Sequence, residues 1–248
     1  MRVTKSSAEI RRDVEISLIY PIFGVVGCVN VLAMTQQPLR ETEAALSDAL
    51  LKLGSATLGE SGGQGLNTRM HAMWAGACFA GPAFAVRCPV GDNLAVHAGV
   101  ARAPRGSVLA VTVAGDVSRG YWGEVLATAA QAAGIAALVI DGTVRDLDRL
   151  ADMKFPVFAR GHSLPGAAKS GPGETGGTVS LGDVAVRTGD WLVGDADGIV
   201  AIGPEAIDEV LAAGRAREAK ELAIFERLKA GSTTVELLGL DVSSIREA

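Results

Sequence analysis

Aromatic residues make up only 4% of the 248-residue chain, so small aliphatic side chains must fill whatever core it builds. Cysteine is scarce too. The three present, Cys28, Cys78 and Cys88, are an odd number with no Cys-x-x-Cys pair, which suits reduced thiols in a cytoplasmic protein better than a disulfide framework. The three histidines fall into no zinc-ligand spacing, so any metal would have to be held by carboxylates. Positive charge is short as well: 23 Lys plus Arg against 28 Asp plus Glu leave a net charge of -5. That is the wrong balance for a phosphate-backbone binder, and nucleic acid is not expected as a partner. What the chain does have is 48% hydrophobic residues and 31 glycines, the latter without a three-residue period. This composition describes a globular protein with many tight turns and close backbone approaches.

The longest apolar run, ISLIYPIFGVVGCVNVLAM from Ile16 to Met34, is 19 residues and near bilayer-spanning length. Pro21, Asn30, Gly24 and Gly27 oppose a span, and the mixed charges before it are unlike a signal peptide. No membrane association is therefore expected. Residues 1–33 read as an extension that is dispensable, either upstream of a start at Met34 or an apolar arm packed on its own domain or a neighbour. Residues 34–248 form a single domain. A helix is expected over 43–53, with Leu46, Leu50 and Leu53 on one face and a stop at Gly54. Strands are expected at 83–88, 108–113, 135–140, 156–159, 184–187, 191–193 and 199–202. Between them lie a helix capped by Asp92, an Ala-rich helix over 123–133, a turn at Asp141–Gly142 and a charged helix from Pro204 to Lys229. Short strands alternating with helices give an α/β fold of layered sheets and helices, not a clean doubly wound one.

Polar groups concentrate in RGYWGEVLATAAQAAGIAALVIDGTVRDLDRL. Glu124 opens a helix behind Gly120 and Gly123, leaving the amides of Val125 and Leu126 free for an anion such as a small carboxylate. Adjacent Arg145 and Asp146 point different ways, either as an anion holder and a cation holder or as an ion pair capping a helix. Asn93 and His97 share one block, His97 reading as a packed residue or a base. Arg160 and His162 follow a strand that could deliver them to the cleft. Asp195 and Asp197 in GDADG read as a turn rather than a metal loop. Lys154 and Lys169 lack the apolar setting that a Schiff-base lysine requires.

Glu124, twenty intervening residues, and then Arg145–Asp146 resemble the signature of the RraA-like proteins, which include the 4-hydroxy-4-methyl-2-oxoglutarate and 4-carboxy-4-hydroxy-2-oxoadipate aldolases. The blocks GDNLAVH (91–97), GEVLATAA (123–130), IDGTVRD (140–146), PVFARG (156–161) and GDADGIV (194–200) follow in the family's order. The resemblance covers roughly 44–241. It implies a β/β/α layered fold of the swivelling type, a homotrimer or hexamer with shared sites, and a class II pyruvate aldolase that uses Mg²⁺ or Mn²⁺. Such an enzyme cleaves a 4-hydroxy-2-oxo acid to release pyruvate and decarboxylates oxaloacetate as a side activity. By position, Asp146 would bind the metal directly and Glu124 through water. Glu221, or less readily Glu218, would do so through water from a neighbouring subunit. Arg145 would contact the pyruvyl carbonyl, and Gly123 with the amides of Val125 and Leu126 would take the carboxylate. Glu124 departs from the Asp often found there and is longer by one methylene. The same fold also includes ribonuclease inhibitors that act by contact, so a non-catalytic regulator is the alternative.

Overall fold

Aliphatic strands alternating with Ala-rich helices carry the architecture of the computed structural model, which describes residues 41–66 and 69–246. The extension 1–33 and the apolar run 16–34 lie outside the described residues. In chain order the elements are α1 (Glu41–Glu60), β1 (Gln64–Gly65), β2 (His71–Ala72), β3 (Phe79–Arg87), α2 (Leu94–Arg102), β4 (Val108–Thr112), α3 (Glu124–Ala133), β5 (Ala137–Val144), α4 (Leu147–Asp152), β6 (Val157–His162) and β7 (Glu174–Thr175). They continue with β8 (Thr178–Leu181), β9 (Val184–Arg187), β10 (Trp191–Gly194), β11 (Ile199–Ile202), α5 (Ile207–Lys229) and α6 (Thr234–Leu238). A 3₁₀ turn, Pro204–Ala206, leads into α5, so the proline sits where the sequence places a helix start.

The main sheet runs β1-β11-β10-β3-β4-β5-β6-β2, with β7 beside β3. Its centre, β3 to β6, is parallel. Strand β3 serves two neighbours in succession: Phe79–Pro82 pair antiparallel with β10, and Ala83–Arg87 pair parallel with β4. On one face the hairpin β8–β9 sets Val179, Leu181, Val184 and Val186 against Ala85, Ala110, Val139 and Phe158. On the other, α2 and α3 pack Val96, Leu126, Ala127 and Ala130 against Val86, Leu109, Leu138 and Ile140. The layers are therefore hairpin, sheet and helices, the β/β/α arrangement expected. A third cluster joins α1 and α5 to β10 and β11 through Leu50, Leu58, Val193, Val200 and Val210. Each such Leu or Val contributes about 1.5–3 kcal/mol on burial. With so few aromatics, the fully buried Ala127 and Ala130 let α3 lie close on the sheet.

Three local expectations are corrected. The helix expected to end at Gly54 turns there, with φ 78° and ψ 161°, and resumes to Glu60. Asp195 explains the restart: its carboxylate accepts the Ser55 amide at 2.7 Å and the Ser55 hydroxyl at 2.5 Å, capping the new turn. Asp141–Gly142 is no turn but part of β5, where the register against β6 shifts by one residue between Ile140 and Thr143. That is a β-bulge, and the local sequence of a bulge is hard to tell from that of a turn. The N-cap of α2 is Asn93 instead of Asp92.

Asp92 has a different task. Its carboxylate accepts the Leu94 amide at 2.8 Å and the amides of Ser170 and Gly171 at 2.6 and 2.8 Å. It thereby staples the loop after β6 to the start of α2, alongside the Asn93 amide donating to the Ala168 carbonyl. Burial works against its charge, but these amides, helped by Lys169, outweigh it and hold the carboxyl below its ordinary value of 3.8. A depressed carboxylate stabilises the fold above its unfolded pKa, and that contribution is lost as pH falls through the folded pKa. Asp92→Asn is therefore expected to cost roughly 1–3 kcal/mol at pH 7. In thermal melts followed by circular dichroism, the gap between variant and parent should persist from pH 7 to 5 and close below about pH 4. A gap that does not change with pH would remove the charge from this account.

Candidate functional site

The site is built where three stretches of chain meet at the C-terminal end of the parallel strands. Residues 120–122 run beside the end of β5, with the Gly120 amide donating to the Pro165 carbonyl (2.8 Å), Tyr121 to Thr143 (2.9 Å), and Arg145 back to Trp122 (2.8 Å). The approach is too close for side chains. A Cβ on Gly120 would lie 2.5 Å from the Ser163 carbonyl oxygen, and one on Gly123 would overlap the Asp146 carboxylate. The passage delivers the start of α3, whose N-cap Gly123 offers no side-chain acceptor to the first-turn amides. One of them, Glu124, donates to Asp146 Oδ2 at 3.0 Å. Val125 is 79% exposed and Leu126 is buried.

Asp146 follows β5 in a left-handed backbone conformation, φ 61° and ψ 40°, as the N-cap of α4. Its Oδ2 lies 3.7 Å from Arg145 Nε, and both side chains are partly open to solvent. The adjacent pair thus converges instead of pointing apart, because the left-handed residue reverses the chain direction between them.

These groups border a cavity of about 230 Å³ lined by Asn93 and His97, Gly120 to Gly123, Val125 and Leu126, Arg145 and Asp146, and the loop residues Gly166, Ala167 and Lys169. The wall at Asn93, His97 and Trp122 is polar, with Asn93 and Trp122 buried and His97 half-buried. Asn93 donates through Nδ2 to the Tyr121 carbonyl at 2.8 Å. Trp122 stacks on Phe155 with centroids 5.7 Å apart. Yet Asn93 Oδ1, His97 Nε2 and Trp122 Nε1 are buried without a hydrogen-bond partner. Burial, reinforced by the Lys169 charge, pushes the His97 imidazole below its ordinary pKa, while Asp92 pulls the other way. Behind this wall the Tyr121 hydroxyl donates to Asp116 and accepts the Gly91 amide at 2.7 Å. Burial and the Asp116 bond raise the phenol to about 12. Burial likewise opposes the Asp116 charge, but the Tyr121 and Ser118 donors prevail and keep that carboxyl low.

Of the residues singled out by sequence, Arg145, Asp146, Gly123, Val125, Leu126, Asn93 and His97 line this cavity, while Glu124 adjoins it through its backbone amide, which donates to Asp146. Arg160 does not: its guanidinium forms an ion pair with Asp141, which is buried at the bulge of β5. His162, at the end of β6, lies outside the lining as well. Glu221 lies on α5, paired 2.8 Å from Arg217 Nε, and Arg217 also contacts Glu60. Glu218 is half-buried on the same helix. Sequence reasoning missed Trp122 and passed over Lys169, which reaches the cavity because Asp92 anchors its loop. Among the described residues no group of three or more His, Cys, Asp or Glu is placed to hold a metal ion, and Asp146 is the one carboxylate among the residues that line the cavity. No helix among the described residues is long and apolar enough to cross a membrane.

A Halalkalibacterium halodurans protein provisionally named 4-hydroxy-4-methyl-2-oxoglutarate aldolase is 36% identical over 154 residues, covering 60% of this chain and 73% of that protein. Among solved structures, an uncharacterized Pseudomonas syringae pv. tomato protein superposes with a TM-score of 0.69 at 27% identity, covering 80% of this chain and 93% of its own. The RNA-processing inhibitor RraA from Thermus thermophilus gives a TM-score of 0.53 at 28% identity, covering 57% of this chain and 85% of its own. The family model described as RraA-like, Aldolase/RraA, matches residues 43–201 and contains every cavity-lining residue, so the chain belongs to the RraA-like family.

Proposed function

We propose that the chain is a class II pyruvate aldolase, a carbon–carbon lyase that releases pyruvate from a 4-hydroxy-2-oxo dicarboxylic or tricarboxylic acid with a divalent cation, Mg²⁺ or Mn²⁺. One observation carries this reading: a guanidinium, a carboxylate and the uncapped first turn of a helix border a single cavity of small-acid size. The donor set suits a hard cation, since Mg²⁺ commonly takes one or two carboxylates and keeps several waters. Asp146 would hold it directly, its Oδ2 already fixed by the Glu124 amide, with Glu124 acting through water. The bound cation would supply Lewis acidity at the keto oxygen.

The chain's own groups do the rest. The Val125 and Leu126 amides receive the substrate carboxylate at the positive end of α3. Arg145 donates to the keto oxygen, which gains negative charge as the C3–C4 bond opens into an enolate. Loss of CO₂ from oxaloacetate places the same charge on the same oxygen, so decarboxylation follows as a side activity. Resemblance to the Thermus RNA-processing inhibitor supports a second reading, a non-catalytic regulator of ribonuclease activity. That reading needs no metal and no turnover.

We place Glu221 in a neighbour's site, making the assembly a trimer or hexamer. Support comes from α5: its buried residues end at Gly214, while Leu222 and Phe225, flanking the Glu221 turn, remain 58% and 49% exposed.

Pyruvate formation from 4-carboxy-4-hydroxy-2-oxoadipate and from oxaloacetate, measured with added Mg²⁺, is expected and should disappear with chelator. Asp146→Asn keeps the shape but loses the charge, so turnover should fall by ~10³-fold or more, several kcal/mol of oxyanion stabilisation. Glu124→Gln should cost ~10- to 100-fold, and Arg145→Lys ~10²-fold or more through loss of the planar fork. Wild-type turnover in chelated enzyme would refute the metal-dependent scheme. The shared site has its own test: mixing inactive Asp146→Asn and Glu221→Gln subunits should restore part of the activity, because some sites then draw both intact residues. A fully active monomer in sedimentation experiments would rule it out.

A further inference from the structure

We propose that Asp92 is a positioning residue for the substrate: by latching the loop 163–173 onto the start of α2, it fixes the wall of the cavity that carries Lys169. The inference rests on the aldolase reading and adds to it a side chain that sets how tightly the acid is held. The loop joins β6 to β7 and brings Gly166, Ala167 and Lys169 to the lining. Individual hydrogen bonds set its place. The Asp92 carboxylate, 5% exposed, accepts the Ser170 and Gly171 amides on one oxygen at 2.6 and 2.8 Å, and the Leu94 amide on the other at 2.8 Å. Beside it the Ala168 amide donates to the Gly91 carbonyl and the Asn93 amide to the Ala168 carbonyl, both at 2.8 Å. The fit leaves no slack, since a Cβ on Gly171 would lie 2.8 Å from Pro89 and 3.1 Å from Asp92.

Asp92 is not itself part of the lining, so its influence passes through the loop. The two ends of the loop are held differently. The near end is pinned by the Gly120 amide on the Pro165 carbonyl, and there a Cβ on Gly166 would stand 3.4 Å from Arg145 Nη1. That contact does not need Asp92. The far end carries Lys169, the second cation of the lining, which is exposed. Among the described residues its ammonium donates only to the Ala167 carbonyl of its own loop, at 3.4 Å. A 4-hydroxy-2-oxo dicarboxylate that places one carboxylate at the α3 amides keeps another negative charge, and Lys169 is an open counter-charge for it. Without the latch this wall would be ordered only on binding, and affinity would carry that entropy cost. The groups at the reacting bond, Arg145 and Asp146, would keep their places.

Asp92→Asn, Lys169→Met and the double variant would be assayed with Mg²⁺ and 4-hydroxy-4-methyl-2-oxoglutarate, below the melting temperature of each. In Asp92→Asn, KM should rise ~10-fold or more while kcat stays within about threefold, as when binding is lost equally from ground and transition states. A smaller folded fraction would instead lower kcat and leave KM in place. Asp195→Ala, which removes the cap of α1 away from the cavity, provides that reference. Added to Lys169→Met, Asp92→Asn should change KM by less than about twofold, because both act on one wall. Amide exchange followed by mass spectrometry reads the latch without turnover: peptides over 163–173 should lose protection in Asp92→Asn while those of α3 and β5 keep it. An unchanged KM, an equal rise in Asp195→Ala, KM effects that multiply in the double variant, or protection lost evenly along the chain would make Asp92 structural only. Each overturns the assignment and leaves the aldolase reading intact. A wild-type protein that releases no pyruvate overturns the aldolase reading and this assignment with it.

Discussion

The site depends on how closely two backbone stretches can pass. Residues 120–123 lie against 143–146 and 163–166 at hydrogen-bonding distance, and the space between them leaves no room for a Cβ on Gly120 or Gly123. From that passage everything else follows in order. Trp122 fixes the Arg145 amide, Gly123 lets Asp146 reach the Glu124 amide, and that hydrogen bond ties the first turn of α3 to the N-cap of α4. Side chains from α3 and from the β5–α4 junction are thereby held in one frame, although twenty residues of helix and strand separate them in sequence.

How much of this was legible can be argued residue by residue. The strands of the parallel centre are short aliphatic runs, and α3 is amphipathic with a glycine before it, so local patterning was sufficient. The Glu124 and Arg145–Asp146 spacing survived folding because it spans one helix and one strand of fixed length. Asp141 was misread because its role comes from Arg160, nineteen residues on and visible only when β6 is laid beside β5. Gly54 was misread for a similar reason: the cap that restarts the helix is Asp195, 140 residues beyond Ser55. Lys169 entered the cavity through a loop with no periodicity at all, anchored by Asp92 from before α2. Trp122 carried no polar signature in sequence, since an indole reads first as core.

The cavity has two electrostatic ends. Toward solvent stand Arg145 and Asp146, charged and partly exposed, where water screens their mutual interaction. Toward the core stand neutral groups with buried orphan atoms. Each such atom costs about 1–3 kcal/mol when left unsatisfied, a sum that a chain of ordinary marginal stability would not be expected to hold for packing alone.

The left-handed backbone at position 146 narrows the chemical alphabet there. At φ 61° and ψ 40° glycine is unstrained, aspartate and asparagine are tolerated through their short polar side chains, and most other residues are strained by roughly 1–2 kcal/mol. Glutamate, the obvious alternative acid, is thus disfavoured by the main chain before its length is even considered. Among the residues this geometry readily accepts, aspartate alone brings a negative charge, so the fold itself leaves evolution one charged letter to write at this point.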